Sequence, residues 1–382
     1  PEAPSESPPR GPGAERKEQM RRDRDGDMTS KSFSARWLDM KRAKCRPATI
    51  KRVDGTLKRH ILPHLGSMQL EPTKPKHVHA TLKANAAIPA TAGQVRGIIK
   101  DIFDSAISNL IVEVNPATPL KLDQIIAVSP TRNHRHITEP QLGTWWNALS
   151  ACEGPTHTAT INAARFVALT MCRKSEVTLS TWGEIQVADI TDGQFLVDPN
   201  ANWMEVQDHK DDKAVVCFVI PASRMKMRRE QIIPLPRQAV AILREQYELA
   251  LAAGHKCAPN EFIFAKLGSK KHLDVNTLNF LFERVAASEG CEFCNVPMPG
   301  YSDTFTPHGL RSTATTIMRN RGYSRELVDL LLAHGEGGVH ASYNRAEQLP
   351  ARRAALAFYA DLIDSLAAAA RGENVVVLRK AA

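Results

Sequence analysis

The chain has 382 residues, 43% hydrophobic and 24% charged, with a net charge of +9. That length is too great for one small core and predicts two or three domains. No apolar run is long enough to span a bilayer and no signal-peptide pattern opens the chain. The net charge favours a polyanionic partner. The seven cysteines, Cys45, Cys152, Cys172, Cys217, Cys257, Cys291 and Cys294, are odd in number and scattered. They fit a reducing cytosol better than a disulfide framework. Cys291 and Cys294 have metal-ligand spacing, with His255 and Cys257 upstream. A zinc site would need all four to converge, and free thiols in a loop are the simpler reading.

Residues 1–30 are rich in Pro, Gly, Ser and charge and poor in large apolar side chains. Such a segment cannot pack a core and is expected to be a mobile linker, with a transient charged helix at 14–24. It opens on Pro1 rather than Met, as expected when a preceding domain has been removed. From 31 to 117 the pattern is helical. Phe33, Trp37 and Met40 recur at three- and four-residue spacing, as do Leu57, Ile61 and Leu65, and then Val95, Ile98, Ile99, Ile102 and Phe103. Lysines and arginines crowd the start of this segment, among them Lys41, Arg42, Lys51 and Arg52. They form either a nucleic-acid edge or a solvated helix face.

Residues 118–137 lose periodicity and read as an interdomain linker, ending in a polar, basic run from Ser129 to His136. Thr138-Glu139-Pro140 then caps a helix and opens a larger domain, 138–349. This domain is mostly helical. Its strand candidates are 194–197, 215–220 and 231–235, and helices are expected at 237–252, 275–288, 309–321 and 324–333. A C-terminal helix follows at 350–366, with a tail to 382. Its stripe of Ala355, Leu356, Tyr359, Leu362, Ile363 and Leu366 is read as an element that docks on a neighbouring protomer, the plainer option being its own domain. The fold class is mainly α with a small β-sheet (α+β).

Four segments carry the chemistry. Arg173 leaves an apolar helix, with Glu176 three residues on. Arg224-Met225-Lys226-Met227-Arg228-Arg229 lies between two strand candidates and reads as a cation-crowded hairpin turn. His308-Gly309-Leu310-Arg311 opens a helix and puts His308 and Arg311 on one face. Leu331-Leu332-Ala333-His334 is followed nine positions later by Tyr343. Each alone is ordinary, but together and in this order they are specific.

The ordered set Arg, Lys, His-x-x-Arg, His, Tyr resembles the signature of the tyrosine recombinases, the phage integrase family. Met-Lys-Met-Arg-Arg followed by Ile-Pro-Leu, and Tyr343-Asn344-Arg345-Ala346, resemble the satellite-phage P4-like subgroup. The resemblance covers roughly residues 30–366 and implies a helical core-binding domain followed by a catalytic domain. It also implies cleavage and rejoining of DNA through a 3′-phosphotyrosine, with Tyr343 as nucleophile. Arg173 and Arg311 would grip the scissile phosphate, because a guanidinium fork matches phosphate oxygens and keeps its charge. His334 would add a hydrogen bond. His308 would assist proton transfer or orient the phosphate, and Glu176 would hold Arg173 or His308 in place. Lys226 would protonate the leaving 5′-oxygen, as suits a lysine crowded by cations. Arg224, Arg228 and Arg229 would supply that crowding and hold phosphates, alongside Lys41, Arg42, Lys51 and Arg52. No metal or other cofactor is called for.

The implied partners are double-stranded DNA attachment sites, further copies of the chain in a homotetramer on DNA, and accessory DNA-bending or directionality proteins. The implied location is the cytoplasm, associated with the nucleoid. The stretch 187–213, with the charged run Asp208 to Lys213, is an insertion relative to the subgroup. The same chemistry would also serve a resolvase, a conjugative-transposon recombinase or a type IB topoisomerase, and a DNA-binding relative without activity is the reading from another class.

Overall fold

The computed structural model describes residues 28–128, 132–152, 157–192, 194–206, 214–266, 268–287, 304–333 and 348–374. The expected helix at 14–24, the pair Cys291 and Cys294, and the segment holding His334 and Tyr343 lie outside them. The chain divides after residue 131 into two compact units.

The first unit is helical: α1 Ser30–Arg42, α2 Pro47–Thr56, α3 Leu62–Leu65, α4 Pro75–Ala84 and α5 Pro89–Ser108. Prolines in the first turns of α2, α4 and α5 cost no hydrogen bond there. Between α2 and α3 the backbone widens into a π-helical turn, Leu57–Ile61. Pro63 has no N–H to continue the ladder at that point. The core takes Phe33, Trp37, Leu57, Ile61, Leu65 and the apolar face of α5. Met40 is exposed instead, and Leu38 takes the buried place beside Trp37. The expected linker is narrower than 118–137. Ala117, Leu120, Leu122 and Ile125 pack on the first unit's core, and Arg96 Nε donates to Leu120 O at 2.5 Å. Residues 132–137 belong to the second unit.

The second unit holds α6 Glu139–Ala151, α7 Thr158–Thr170 and α8 Lys174–Thr178, then β1 Ile185–Asp189, β2 Leu196–Val197, β3 Ala214–Ile220 and β4 Gln231–Pro234. Helices α9 Arg237–Ala252, α10 Thr277–Ala286, α11 Pro307–Asn320, α12 Arg325–Leu331 and α13 Leu349–Ala370 complete it. The strands form one antiparallel sheet in the order β2-β1-β3-β4. Strand β1 runs into the start of the stretch read as an insertion, yet it is an inner strand, with Ile185 opposite Phe218 and Asp189 opposite Ala214. Its alternation is weak because both faces are largely buried. Beyond β2 the insertion is pinned by Trp203, which stacks on Trp182 at 5.8 Å and meets Tyr247 edge-on at 5.9 Å.

Helix α7 is buried on every side and forms the axis of this unit. Helix α13 corrects an expectation. Its stripe of Ala355, Leu356, Tyr359, Leu362, Ile363 and Leu366 is buried within its own unit, packed chiefly against α6. Gly143 allows the close crossing, since a Cβ there would lie 2.2 Å from Leu366 O. The stripe is therefore not left open for another protomer.

Candidate active site

The site begins where α7 ends. Met171 closes that helix in the left-handed region, φ 55°, and turns the chain into α8 with Arg173 as its cap. Glu176 sits one turn along and holds Arg173 twice. Its Oε2 accepts from the Arg173 backbone N–H and its Oε1 from Nη1, both at 2.7 Å. The charge-assisted pair fixes the direction of the guanidinium, which remains partly exposed.

Helix α11 brings the second arginine. His308 and Arg311 lie one turn apart as the spacing predicts, but they face different surroundings. Arg311 is buried, 4% exposed. Its Nη1 donates to Met171 O, and its Nη2 to Leu332 O at 2.5 Å. One guanidinium thus ties the turn before Arg173 to the end of α12, directly ahead of residue 334. Burial first, and then the like charge of Arg173, pull Arg311 down to about 10. That is still well above neutrality, so the group stays cationic. Two guanidiniums within Coulombic reach share one carboxylate, Glu176, and the surplus positive charge suits a phosphate. Cys172 feels both charges, but burial pushes its thiol up to about 12, so it stays protonated and is no nucleophile.

The third part is the hairpin between β3 and β4, whose register pairs Ile220 with Gln231. Met225 is buried in the core and anchors the loop, while Lys226, Arg228 and Arg229 are exposed. Arg228 takes a left-handed conformation, φ 54°. Arg224 departs from the expected DNA-facing role. It is half-buried, pairs with Glu184 and donates to Glu176 O. It is a strut that ties the hairpin to α8, and Glu184 takes up its charge.

His308 is exposed at the first turn of α11 and meets His134 edge-on, with ring centroids 4.2 Å apart. His134 was not singled out from the sequence, where it lies in a run without periodicity and far from the motif. In the first unit, Lys41 pairs with Asp101 at 2.7 Å and lies over the Trp37 ring, and Arg42 pairs with Asp39 at 2.7 Å. Arg52 Nη1 donates to Gln94 Oε1 at 2.9 Å, and Lys51 is exposed. Among the described residues, no cluster of three or more His, Cys, Asp or Glu could hold a metal ion.

Arg173, Glu176, the hairpin and Arg311 therefore meet around the ends of α7 and α12. The phage integrase family matches residues 146–349, which include all of them and Tyr343, and the phage integrase central domain matches residues 31–122. The chain belongs to the phage integrase family. It is a tyrosine recombinase of the P4-like kind. The prophage integrase IntZ of Escherichia coli K12 is 27% identical over 320 residues, 83% of this chain and 67% of that protein. The integrase of Enterobacteria phage P4 is 24% identical over 319 residues, 82% of this chain and 64% of that protein. This integrase-family chain thus spans about two thirds of the length of these two relatives.

Among solved structures, a lambda integrase (75–356) dimer bound to a COC′ core site has a TM-score of 0.55 at 18% identity, covering 81% of this chain and 96% of that one. A lambda integrase tetramer bound to a Holliday junction has a TM-score of 0.56 at 17% identity, covering 84% and 82%. The Tn1549 transposon integrase with circular intermediate DNA has a TM-score of 0.55 at 16% identity, covering 83% and 95%. At these identities the likeness is one of fold. Among the described residues, no helix is long and apolar enough to cross a membrane.

Proposed function

We propose that the chain is a site-specific integrase that cleaves and rejoins double-stranded DNA at attachment sites, moving a prophage or genomic island into or out of a chromosome. The observation that carries this reading is Arg311. It binds the turn before Arg173 and the end of α12 with one guanidinium, so the two phosphate-gripping arginines and the approach to residue 334 share one buried scaffold.

In this mechanism Tyr343 attacks the scissile phosphorus in line. The phosphodiester bond to the 5′-oxygen breaks as the phosphotyrosine bond forms. Arg173 and Arg311 neutralise the non-bridging oxygens, with His334 as a further donor, and His308 orients the phosphate or assists proton transfer. Lys226, carried on an exposed turn anchored by Met225, donates a proton to the leaving 5′-oxygen. Glu176 and Arg224 hold this machinery in place rather than touching DNA. The phosphotyrosine keeps the bond energy, so rejoining needs no nucleotide.

Residues 31–117 would form the core-binding part and 138–349 the catalytic part. The phosphate contacts would come from Arg228, Arg229, Lys51 and Arg52. Lys41 and Arg42 already have carboxylate partners, so their share would be smaller. The lambda tetramer on a Holliday junction supports a homotetramer on DNA. Accessory DNA-bending or directionality proteins and a cytoplasmic, nucleoid-associated location complete the reading.

A nicked suicide substrate bearing the attachment core tests it. The wild-type chain should accumulate a covalent protein–DNA adduct at one site, and Tyr343→Phe should bind that DNA without forming any. Wild-type adduct from the Phe variant would remove Tyr343 from its role. Binding without an adduct from the wild type would mark an inactive relative, and cutting at many sites a topoisomerase.

A further inference from the structure

We propose that His134 is a positioning residue for His308, so that the segment entering the second unit sets the orientation of a site residue. The inference rests on the recombinase reading and deepens it.

Three contacts lay residues 134–137 along the first turns of α11. The His134 ring meets the His308 ring edge-on, centroids 4.2 Å apart and planes at 60°. Next to it, a Cβ on Gly309 would lie 2.3 Å from Arg135 O and 2.9 Å from the Phe305 ring. The glycine of the His-Gly-Leu-Arg motif is therefore what lets the incoming backbone pass so close to the helix. Two residues further on, the Ile137 N–H donates to Thr313 Oγ1 at 3.0 Å, and both side chains are buried. Arg135 itself is 3% exposed, unusual for an arginine in a connecting segment. These contacts fix the backbone immediately after His134, whose ring faces His308.

The consequence is mechanical. His308 is exposed at the first turn of α11, and the terminal torsion of an imidazole is a broad, two-fold one. An aromatic edge at contact distance narrows that torsion and holds the ring in one orientation.

A double-mutant cycle on the full chain tests this, using single-turnover cleavage of the nicked suicide substrate. H134A should slow cleavage about tenfold, the size of a contact-level coupling between neighbours, with DNA affinity unchanged. In an H308A background, H134A should add nothing. H134F, which keeps an aromatic edge, should restore most of the rate. Independently of activity, the His308 ring proton signals should move in H134A and return toward their wild-type positions in H134F. Multiplying effects, a wild-type rate for H134A, or unmoved His308 signals would each overturn the proposal. If the wild type forms no adduct, the recombinase reading fails instead, while the ring signals still report on the contact.

Discussion

Arg311 shows why its position calls for arginine and not for positive charge alone. Its fork reaches Met171 O and Leu332 O from one planar group, and a lysine cannot satisfy two diverging carbonyls with the same geometry. Arg311→Lys is expected to orphan a buried carbonyl at a cost of about 1–3 kcal/mol. It should also cut cleavage about a hundredfold or more, as for loss of one preorganised donor. Thermal unfolding and single-turnover cleavage measure the two effects, and an unchanged midpoint with normal cleavage would contradict the bracing role. Lys226 is different, being exposed and not part of the buried scaffold. Lys226→Ala should leave stability within about 0.5 kcal/mol and slow cleavage of ordinary DNA strongly. A substrate with sulfur at the bridging 5′ position should recover most of the rate, because a thiolate leaves without a proton. Equal defects on both substrates would take the general-acid role from Lys226.

At the scale of elements, the crossing of α6 and α13 depends on one missing methyl group. Gly143→Ala would place a Cβ 2.2 Å from Leu366 O, and neither helix backbone can yield without losing ladder bonds. The expected loss is about 1–3 kcal/mol or more. It would lower the unfolding midpoint by about 2–4 °C per kcal/mol for a unit of this size. Calorimetry of the variant decides it, and an unchanged midpoint would mean that the crossing tolerates the added methyl group. The β3–β4 hairpin makes a related point. Its position is set by Met225 in the core and by Arg224 reaching Glu184 and the carbonyl of Glu176. The turn is thereby fixed at its base while Lys226 stays exposed.

For the whole molecule, the burial of α13 changes what truncation should do. Removing residues 350–382 would strip Leu356, Tyr359, Leu362 and Ile363, all buried, from the core of the second unit. That chain should fail to unfold cooperatively or bind attachment-site DNA, rather than persist as a monomer that binds DNA without assembling. Ending the chain at residue 374 instead leaves the described core whole. That shorter deletion should keep the unfolding midpoint and DNA binding. Circular dichroism melts and gel shifts on both deletions give the answer. Normal folding of the 350–382 deletion would show that α13 is dispensable to the core.

By itself the sequence determined the helical first unit, the capped start of the second, the hairpin and the order of the chemical boxes. These rest on local signals: three- and four-residue apolar spacing, Thr138 and Pro140 at a helix start, and motif residues with fixed offsets. Only the tertiary structure decided the rest. Strand β1 was missed because a strand buried on both faces carries no clear alternation. Arg224 looked like its neighbours in a basic run, and its inward turn depends on Glu184, forty positions away. The apolar stripe of α13 was legible, but a stripe does not say whether its partner is the same chain or another. That was settled by α6, more than two hundred positions earlier, and by the glycine that lets it approach. His134 and His308 meet for the same reason: a contact between distant positions leaves no local pattern in the sequence, and folding alone brings the two rings together.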